Sequence, residues 1–371
     1  MSTFDVPGCI RVARENRVDG VFTVGTDQPV YTAARVAATL GLPAGITEQT
    51  ALCATNKRAM KAAFAQAGIP NAPYAYLRRG ATETALRGLA LPLVIKPLDS
   101  QGQRGVFLLP GAAEAVHRLE ETLQYSREDA ALVETYYPSD EVTFSGYLLR
   151  GTLYPLLLTD RLLVRDSLHI GVCAAHRYPS VWASRAGEIT DLCRRTAQAI
   201  GAREGPLYVQ LLVGRQGIRI NEVACRVGGA FEDVTVRWAT GFDMLDAVIG
   251  SALGEPWDER SLTHAGVPGL GVQLSVQMLF CRPGRVANIT PVEQIAALPG
   301  VLSAGYNYAP GNDIPAMQNA TARFGHCVLA TDRGDMPTLL AGLYQTLAVT
   351  DAEGRPMLMP PWRGDEGDYH A

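Results

Sequence analysis

Lys96 closes an apolar run, Leu93-Val94-Ile95-Lys96, and is followed by Pro97 and by a loop of small and glycine residues, Asp99-Ser100-Gln101-Gly102-Gln103-Arg104-Gly105. An ammonium at the end of a buried strand is costly unless it meets an anion. The small residues beside it let backbone N–H groups approach phosphate oxygens. No Gly-Lys-Ser/Thr follows, so this is not a Walker A loop. An apolar strand, Val106 to Leu109, follows it where a dinucleotide fingerprint would have a helix. A solvated lysine on a surface hairpin is the competing reading.

Gln210 and Glu222 form a second constellation. They lie on two predicted strands, Leu207–Val213 and Ile218–Val223, joined through Gly214-Arg215-Gln216-Gly217. If Arg215-Gln216-Gly217 is a three-residue hairpin loop, Gly217 occupies the left-handed position and Gln210 faces Glu222 on one side of the sheet. A four-residue loop moves the register by one and separates them. Two oxygen ligands on neighbouring strands suit Mg²⁺, which completes its shell with phosphate and water; a hairpin with Glu222 in solvent is the alternative.

Just downstream, Arg226-Val227-Gly228-Gly229 pairs a guanidinium, suited to an anionic oxygen, with two glycines that free backbone N–H groups. Glu134 and Glu141 fall on successive strands, where carboxylates can accept from ribose hydroxyls, and the backbone of Glu134–Tyr137 can read adenine. The six histidines (His117, His169, His176, His264, His326 and His370) make no metal spacing, and no Gly-x-Ser-x-Gly elbow is present.

The elements that must carry these groups are legible in outline. Cys9 to Asn16 reads as a helix, Gly20 to Val24 as a strand, Gly25-Thr26-Asp27 as a turn, and Val30 to Leu40 as a helix stopped by Gly41 and Pro43. That alternation predicts a parallel α/β sheet, although two units are too few for a complete doubly wound domain. A helix capped by Thr55 or Asn56 presents Met60, Ala63, Phe64 and Ala67 on one face. Further helices are expected over Ala112–Tyr125, Glu188–Ile200 and Met336–Leu347, with a strand over Ala131–Tyr136. Glu141–Leu149 alternates as a strand with one buried face. Beyond Gly266 the chain is strand-rich, and Pro360–Ala371 is a polar tail.

Bulk properties set limits. Lys plus Arg total 33 against 37 Asp plus Glu, a net charge of −4, so nothing points to nucleic acid. No apolar run reaches the ~20 residues of a membrane helix, and the first residues lack a signal-peptide pattern. Seven scattered cysteines fit reduced thiols and a cytoplasmic setting.

Taken in order, these elements resemble the ATP-grasp superfamily, in the branch of carbamoyl phosphate synthetase, biotin carboxylase and the L-amino acid ligases. The resemblance runs from about Asp19 to Asp246, with looser similarity beyond. Val18 to Asp27 is similar to the late part of the pre-ATP-grasp domain, and Ala54 to Lys61 to the lysine-bearing helix that opens the ATP-grasp region. It implies that Lys57 and Lys96 contact nucleotide phosphates under a loop containing Gln101, Gly102 and Gly105. Adenine would lie near Tyr136 and Tyr137, with Glu134 as the hinge acid and Glu141 as a ribose or nucleotide contact. Gln210 and Glu222 match the metal positions, and Arg226 the arginine that steadies the reacting phosphate or acyl oxygen. Two departures stand out. Ala224 occupies the place of a metal-binding Asn, leaving Glu222 alone or aided by a group such as Glu232. The first strands of the pre-ATP-grasp domain are lacking, so that a partner supplies them, the natural start lies upstream, or the domain is reduced.

The resemblance therefore implies an α/β and α+β chain with the ATP-grasp fold. It would comprise a shortened pre-ATP-grasp (Rossmann-like) domain over 1–50, an ATP-grasp domain over 51–255 and a strand-rich α+β region over 256–371. Ala322-Arg323-Phe324-Gly325 is similar to the C-terminal domain of amino acid ligases. The implied activity is ATP-dependent joining of a carboxylate, an amino acid or small acid, to an amine through an acyl phosphate, with ATP and Mg²⁺ or Mn²⁺. The expected partners are these small molecules, with neither nucleic acid nor membrane, and a homodimer. A bicarbonate-using carbamoyl phosphate synthetase or carboxylase-like enzyme and a non-catalytic ATP-binding subunit are the alternatives. Glu232, Asp233 and Arg237 either face substrate or begin a solvated helix.

Overall fold

The structure is a computed structural model that describes residues 2–164, 170–255, 260–263 and 271–360. His169, His264, His370 and the polar tail from 361 onward lie outside the described residues.

Four helices open the chain. Helix α1 (Val6–Glu15) starts where the Asp5 carboxylate accepts from the Gly8 N–H, and α2 (Gln28–Leu40) stops at Gly41 in the left-handed conformation. Helix α3 (Glu48–Thr55) is capped by Thr47. Helix α4 (Lys57–Ala67) is capped by Asn56, whose side chain accepts from the Arg58 and Ala59 N–H groups. Residues 20–24 correct the sequence reading: they form no strand. No described strand lies alongside to take up their backbone groups, and Phe22 and Val24 stay 47% and 41% exposed. The parallel sheet expected there is absent among the described residues, where every ladder is antiparallel.

The next unit is a four-stranded sheet built from β1 (Tyr74–Arg78), β2 (Leu93–Pro97), β3 (Phe107–Leu109) and β4 (Ala130–Thr135), in the order β1-β4-β2-β3. Helix α5 (Ala112–Leu123) covers one face. Leu93 and Ile95 join Leu119 and Leu123 in that core. Strand alternation therefore turns Val94 and Lys96 to the opposite face.

A second sheet carries the other wall of the site. It contains β5 (Asp140–Leu149), β6 (Thr152–Leu163), β7 (Cys173–Tyr178), β8 (Gly205–Gly214) and β9 (Gly217–Ala224). Helix α6 (Ala186–Ala199) and α4 pack on one face, against Val142, Phe144, Val209, Leu211, Ile218, Ile220 and Val223. The other face bears Glu141, Thr143, Gln210 and Glu222. Strand β5 was expected to bury one face; it buries both, Thr143 being 1% and Ser145 3% exposed, because it is an interior strand covered on each side.

Helices α7 (Glu232–Thr240) and α8 (Met244–Leu253) follow, then the short α9 (Arg260–Thr263). The large sheet next continues past β7 through β10 (Gln273–Leu279). After the two-residue strands β11 (Gly284–Arg285) and β12 (Asn288–Ile289) come helix α10 (Val292–Ala296), β13 (Val301–Tyr306) and β14 (Asp313–Ile314). Strand β15 (Gly325–Thr331), helix α11 (Met336–Thr346) and β16 (Val349–Thr350) complete the order. The eight strands run β13-β15-β10-β7-β6-β5-β8-β9, so the C-terminal region is one sheet with the middle of the chain. No described helix is long and apolar enough to cross a membrane.

Candidate active site

The two sheets meet at the link Tyr136-Tyr137-Pro138-Ser139, between β4 and β5, and enclose a cavity of about 950 Å³. Its lining includes Lys57, Lys96, Gln101, Gly102, Glu134, Tyr136, Tyr137, Glu141, Gln210 and Glu222. Ten of the twelve residues singled out from the sequence are thus gathered from seven separate places in the chain. Gly105 and Arg226 lie elsewhere.

Register explains the pairing of Gln210 with Glu222, but not by the expected device. The hairpin closes at Gly214↔Gly217, leaving the two-residue loop Arg215-Gln216 and not a three-residue one. That register alone would set Gln210 opposite Asn221. A β-bulge after Leu211↔Ile220 restores Gln210↔Glu222 and leaves Asn221 as the extra residue. The bulged Asn221 side chain then accepts from Lys96 Nζ at 3.2 Å. Gly217, at φ +110°, does take the positive φ expected of it. Tyr137 pins the tip: its hydroxyl donates to the Gly217 carbonyl (2.9 Å) and accepts from the Gln216 N–H (3.1 Å).

Glu134 serves the lysines. One carboxylate oxygen pairs with Lys61 Nζ at 2.5 Å and the other with Lys96 Nζ. All three side chains are buried. Burial alone would raise the Glu134 carboxyl, but Lys96 and Lys61 hold it down to about 2. Burial pulls Lys61 below its ordinary value despite Glu134. For Lys96 the same burial is outweighed by Glu134 and, further off, by Glu222 and Glu141. The cluster joins two lysines to one carboxylate, of which Lys96 and Glu134 line the cavity. Each Glu134 oxygen is thus engaged by one lysine while the residue lines the cavity. Lys61 was missed in the sequence, where one lysine beside Met60 and Phe64 gives no sign of burial.

The remaining placements refine the loop. Lys57 Nζ donates to the Ser100 carbonyl at 3.0 Å. The Gln101 side chain accepts from the Asp27 and Gln28 N–H groups at 2.7 and 3.3 Å. Gly105 (φ +69°) sits under Tyr125 and Pro97, where an added Cβ would come within 2.7 Å of the tyrosine ring, and its carbonyl accepts from Thr122. It shapes the loop and does not line the cavity. Glu141 lies 3.5 Å from the Arg161 guanidinium. Its carboxyl is raised by burial first, with Arg161 opposing and Glu222 adding to the rise.

Arg226 is held by Asp27, through Nε at 2.8 Å and Nη2 at 2.5 Å, and its guanidinium stacks over the Tyr208 ring at 4.6 Å. Asp27 was read as a turn residue, and its partnership with Arg226 was not visible in the sequence. Glu232 is not solvated: it is 4% exposed, accepts from the Ala230 N–H, and would clash with any Cβ on Gly228.

The donor set suits a hard divalent cation. One carboxylate and one amide oxygen sit opposite each other, with Glu141 close enough to Glu222 to repel it. Among the described residues no three of His, Cys, Asp and Glu converge as a metal cage. A cation here must draw most of its shell from phosphate and water, which is the habit of Mg²⁺.

Comparison with known proteins agrees with this geometry. Residues 277–336 match the family described as L-amino acid ligase C-terminal domain 2. The chain is 22% identical over 229 residues to dapdiamide A synthase of Enterobacter agglomerans, covering 60% of this chain; the match spans about half (53%) of that protein. It is similar in structure to an L-amino acid ligase from Bacillus licheniformis (TM-score 0.78, 17% identity, 93% of this chain and 84% of the other). It is also similar to the biotin carboxylase domain of Hydrogenobacter thermophilus 2-oxoglutarate carboxylase, solved with MgADP, ADP and bicarbonate (TM-score 0.71, 14% identity, 96% and 78%). The two antiparallel sheets and the cavity between them give this chain the ATP-grasp fold of these solved structures, with a segment at 277–336 similar to the C-terminal domain of L-amino acid ligases.

Proposed function

We propose that the protein is an ATP-dependent carboxylate–amine ligase that activates its acid as an acyl phosphate, with an amino acid or small carboxylate as substrate. The observation that carries this reading is the intersheet cavity, where Lys57 and the buried, Glu134-paired Lys96 line the same space as an amide–carboxylate pair, Gln210 and Glu222. ATP would place its base by Tyr136–Tyr137 and its phosphates between Lys57, Lys96 and the Ser100–Gln103 backbone. Gln210 and Glu222 would hold Mg²⁺, which supplies charge neutralisation at the phosphates. Residues 1–50, 51–255 and 256–371 serve in this reading as the pre-ATP-grasp, ATP-grasp and C-terminal parts.

The chain's own residues do the following. Lys96, kept protonated and aimed by Glu134 and Asn221, stabilises charge on the transferring phosphoryl group. The substrate carboxylate attacks the γ-phosphorus in line, the bond to the β,γ-bridging oxygen breaks and ADP leaves; catalysis is chiefly positioning. The amine then attacks the acyl carbon, phosphate leaves and the nitrogen gives up a proton; Arg226, moored by Asp27 outside the cavity lining, contributes positive potential toward the developing oxyanion. The glycine loop, fastened to Asp27 and Gln28 through Gln101, keeps water from the acyl phosphate.

The test is phosphate release with Mg²⁺ and ATP against amino acids singly and in pairs, with bicarbonate as a control. Release requiring a particular acid–amine pair supports the ligase. Release with bicarbonate alone replaces it with a carboxyphosphate-forming enzyme.

A further inference from the structure

The two edges of the eight-stranded sheet differ. At the β9 edge the Ile220 N–H donates to the Pro70 carbonyl at 2.8 Å, so a neighbouring segment takes up part of that edge. At the opposite edge stands β13, whose six residues are all half-buried, whereas its inner neighbour β15 is buried along most of its length. The Asn307 N–H donates to the Phe324 carbonyl at 2.7 Å, which fixes the alternation of the β13–β15 ladder. Ser303 and Gly305 turn their backbone groups toward β15, and Ala304 and Tyr306 turn theirs outward. Those outward N–H and C=O groups have no partner among the described residues. Such an edge is a template for another strand, and proteins block it with charge, proline or a bulge. Strand β13 has a bulge only between Val301 and Ser303, and it contains neither charge nor proline. Its surroundings are equally neutral. Charged residues make up 19% of the chain, yet none occurs from Gln294 to Asn312 or from Met336 to Thr350. The two runs meet where Leu339 of α11 abuts Gly300, just before β13.

We propose that β13 is a self-association edge: a second copy of this chain pairs its own β13 antiparallel to it about a twofold axis at Gly305, joining the two eight-stranded sheets into one. Leu302 falls in the bulge, so the regular outward positions are Ala304 and Tyr306, and each lies opposite the other's image. Both N–H and both C=O groups of that pair are then satisfied on each side of the axis. At the axis Gly305 meets its image in a non-hydrogen-bonded position, where the strands approach to about 4.5 Å between Cα atoms. Gly305 brings no side chain to that crossing, and a Cβ there would come within 2.7 Å of the His326 ring. Charge selects the occupant. Twofold pairing sets residues near the axis close to their own images, so any charge there would meet its like. A neutral border suits a second copy of the chain and offers no complement to a strongly charged partner. No residue of β13 lines the intersheet cavity, so each copy keeps its own site.

Sedimentation equilibrium of the full chain at micromolar concentration should show a dimer. Ala304→Pro removes only an outward N–H, so the ladder to β15 stays intact. It should weaken the dimer about 10–100-fold, the scale of losing one hydrogen bond on each side of the axis. Far-UV circular dichroism checks that the variant is folded. Cross-linking gives a second reading that does not depend on that variant. The proposed register sets Ser303 opposite Asn307 of the second copy, at a spacing that a disulfide can bridge. Ser303→Cys and Asn307→Cys, mixed under oxidised glutathione, should yield a disulfide-linked dimer on non-reducing electrophoresis, above the background of the parent's own thiols. Neither variant alone should, because each new cysteine then faces an asparagine or a serine. A parent that sediments as a monomer throughout overturns the proposal. So does a dimer unchanged by a folded Ala304→Pro. Cross-linking that is absent from the mixture, or as strong in one variant alone, also overturns it by excluding this register.

Discussion

Replacing Glu134 by Gln leaves Lys61 and Lys96 buried side by side with no carboxylate between them. The cost can be approached from two directions. Glu134 is held from 4.5 down to about 2 in the folded protein, which at about 1.4 kcal/mol per pH unit is roughly 3 kcal/mol of folding free energy. Removing one partner of a buried ion pair costs about 3–5 kcal/mol by general experience. The two agree, and against a total stability of about 5–15 kcal/mol the loss is large. Urea unfolding at pH 7 should therefore place Glu134→Gln about 3–5 kcal/mol below the parent. Lys61→Met, which keeps the Lys96–Glu134 pair and buries an apolar chain of similar length, should fall within about 1.5 kcal/mol. The pH dependence has a fixed sign. A carboxyl whose folded pKa is depressed contributes fully above its unfolded pKa and loses that contribution as pH falls through the folded one. The parent should thus lose this increment between about pH 4.5 and pH 2, and Glu134→Gln should not. A Glu134→Gln protein within about 1 kcal/mol of the parent at pH 7 would refute the electrostatic account of the cluster.

Other consequences follow from the same geometry. Lys96→Met keeps the Lys61–Glu134 pair, so the protein should fold, yet phosphate release should drop by two or more orders of magnitude, about the scale of losing a transition-state charge partner; steady-state kinetics beside a melting curve decides it. Asp27→Asn removes the anion that fixes Arg226. It should lower kcat about 10–100-fold while KM for ATP moves less than twofold, and equal loss in both would mean that Asp27 acts on the nucleotide instead. Tyr137→Phe deletes two hydrogen bonds at the β8–β9 tip. It should cost about 1–3 kcal/mol in urea unfolding and raise the Mg²⁺ concentration needed for half-maximal rate; an unchanged requirement would detach the hairpin tip from the metal pair.

How far the sequence carried can be read at single positions. The glycine loop after Lys96, the linking segment and the Gln210–Glu222 pairing were legible because each is local: an apolar run closed by Lys96, a turn, a fixed separation. The bulge at Asn221 was also written in the sequence. The apolar residues of β9 fall at Ile218, Ile220 and then Val223, a step of three where a strand allows two. Charge partners were not visible. Lys61 finds Glu134 across 73 positions and Arg226 finds Asp27 across 199, and no local pattern marks either. The failed strand at 20–24 has the right composition, but a strand is defined by its neighbour, and none is there among the described residues.

Those long-range pairs give the site a mechanical logic. Asp27 accepts from Arg226 with its side chain and donates its N–H to Gln101 of the phosphate loop. The same loop offers the Gly102 carbonyl to Ala320 in the C-terminal region. Loop position, the Arg226 guanidinium and the segment bearing Arg323 are thus tied together through three contacts, each of hydrogen-bond strength. Any displacement of the loop breaks its bonds to Asp27, Gln28 and Ala320 together. Asp27 and Gln28, at the start of α2, therefore anchor the glycine loop, and Asp27 anchors the Arg226 guanidinium as well.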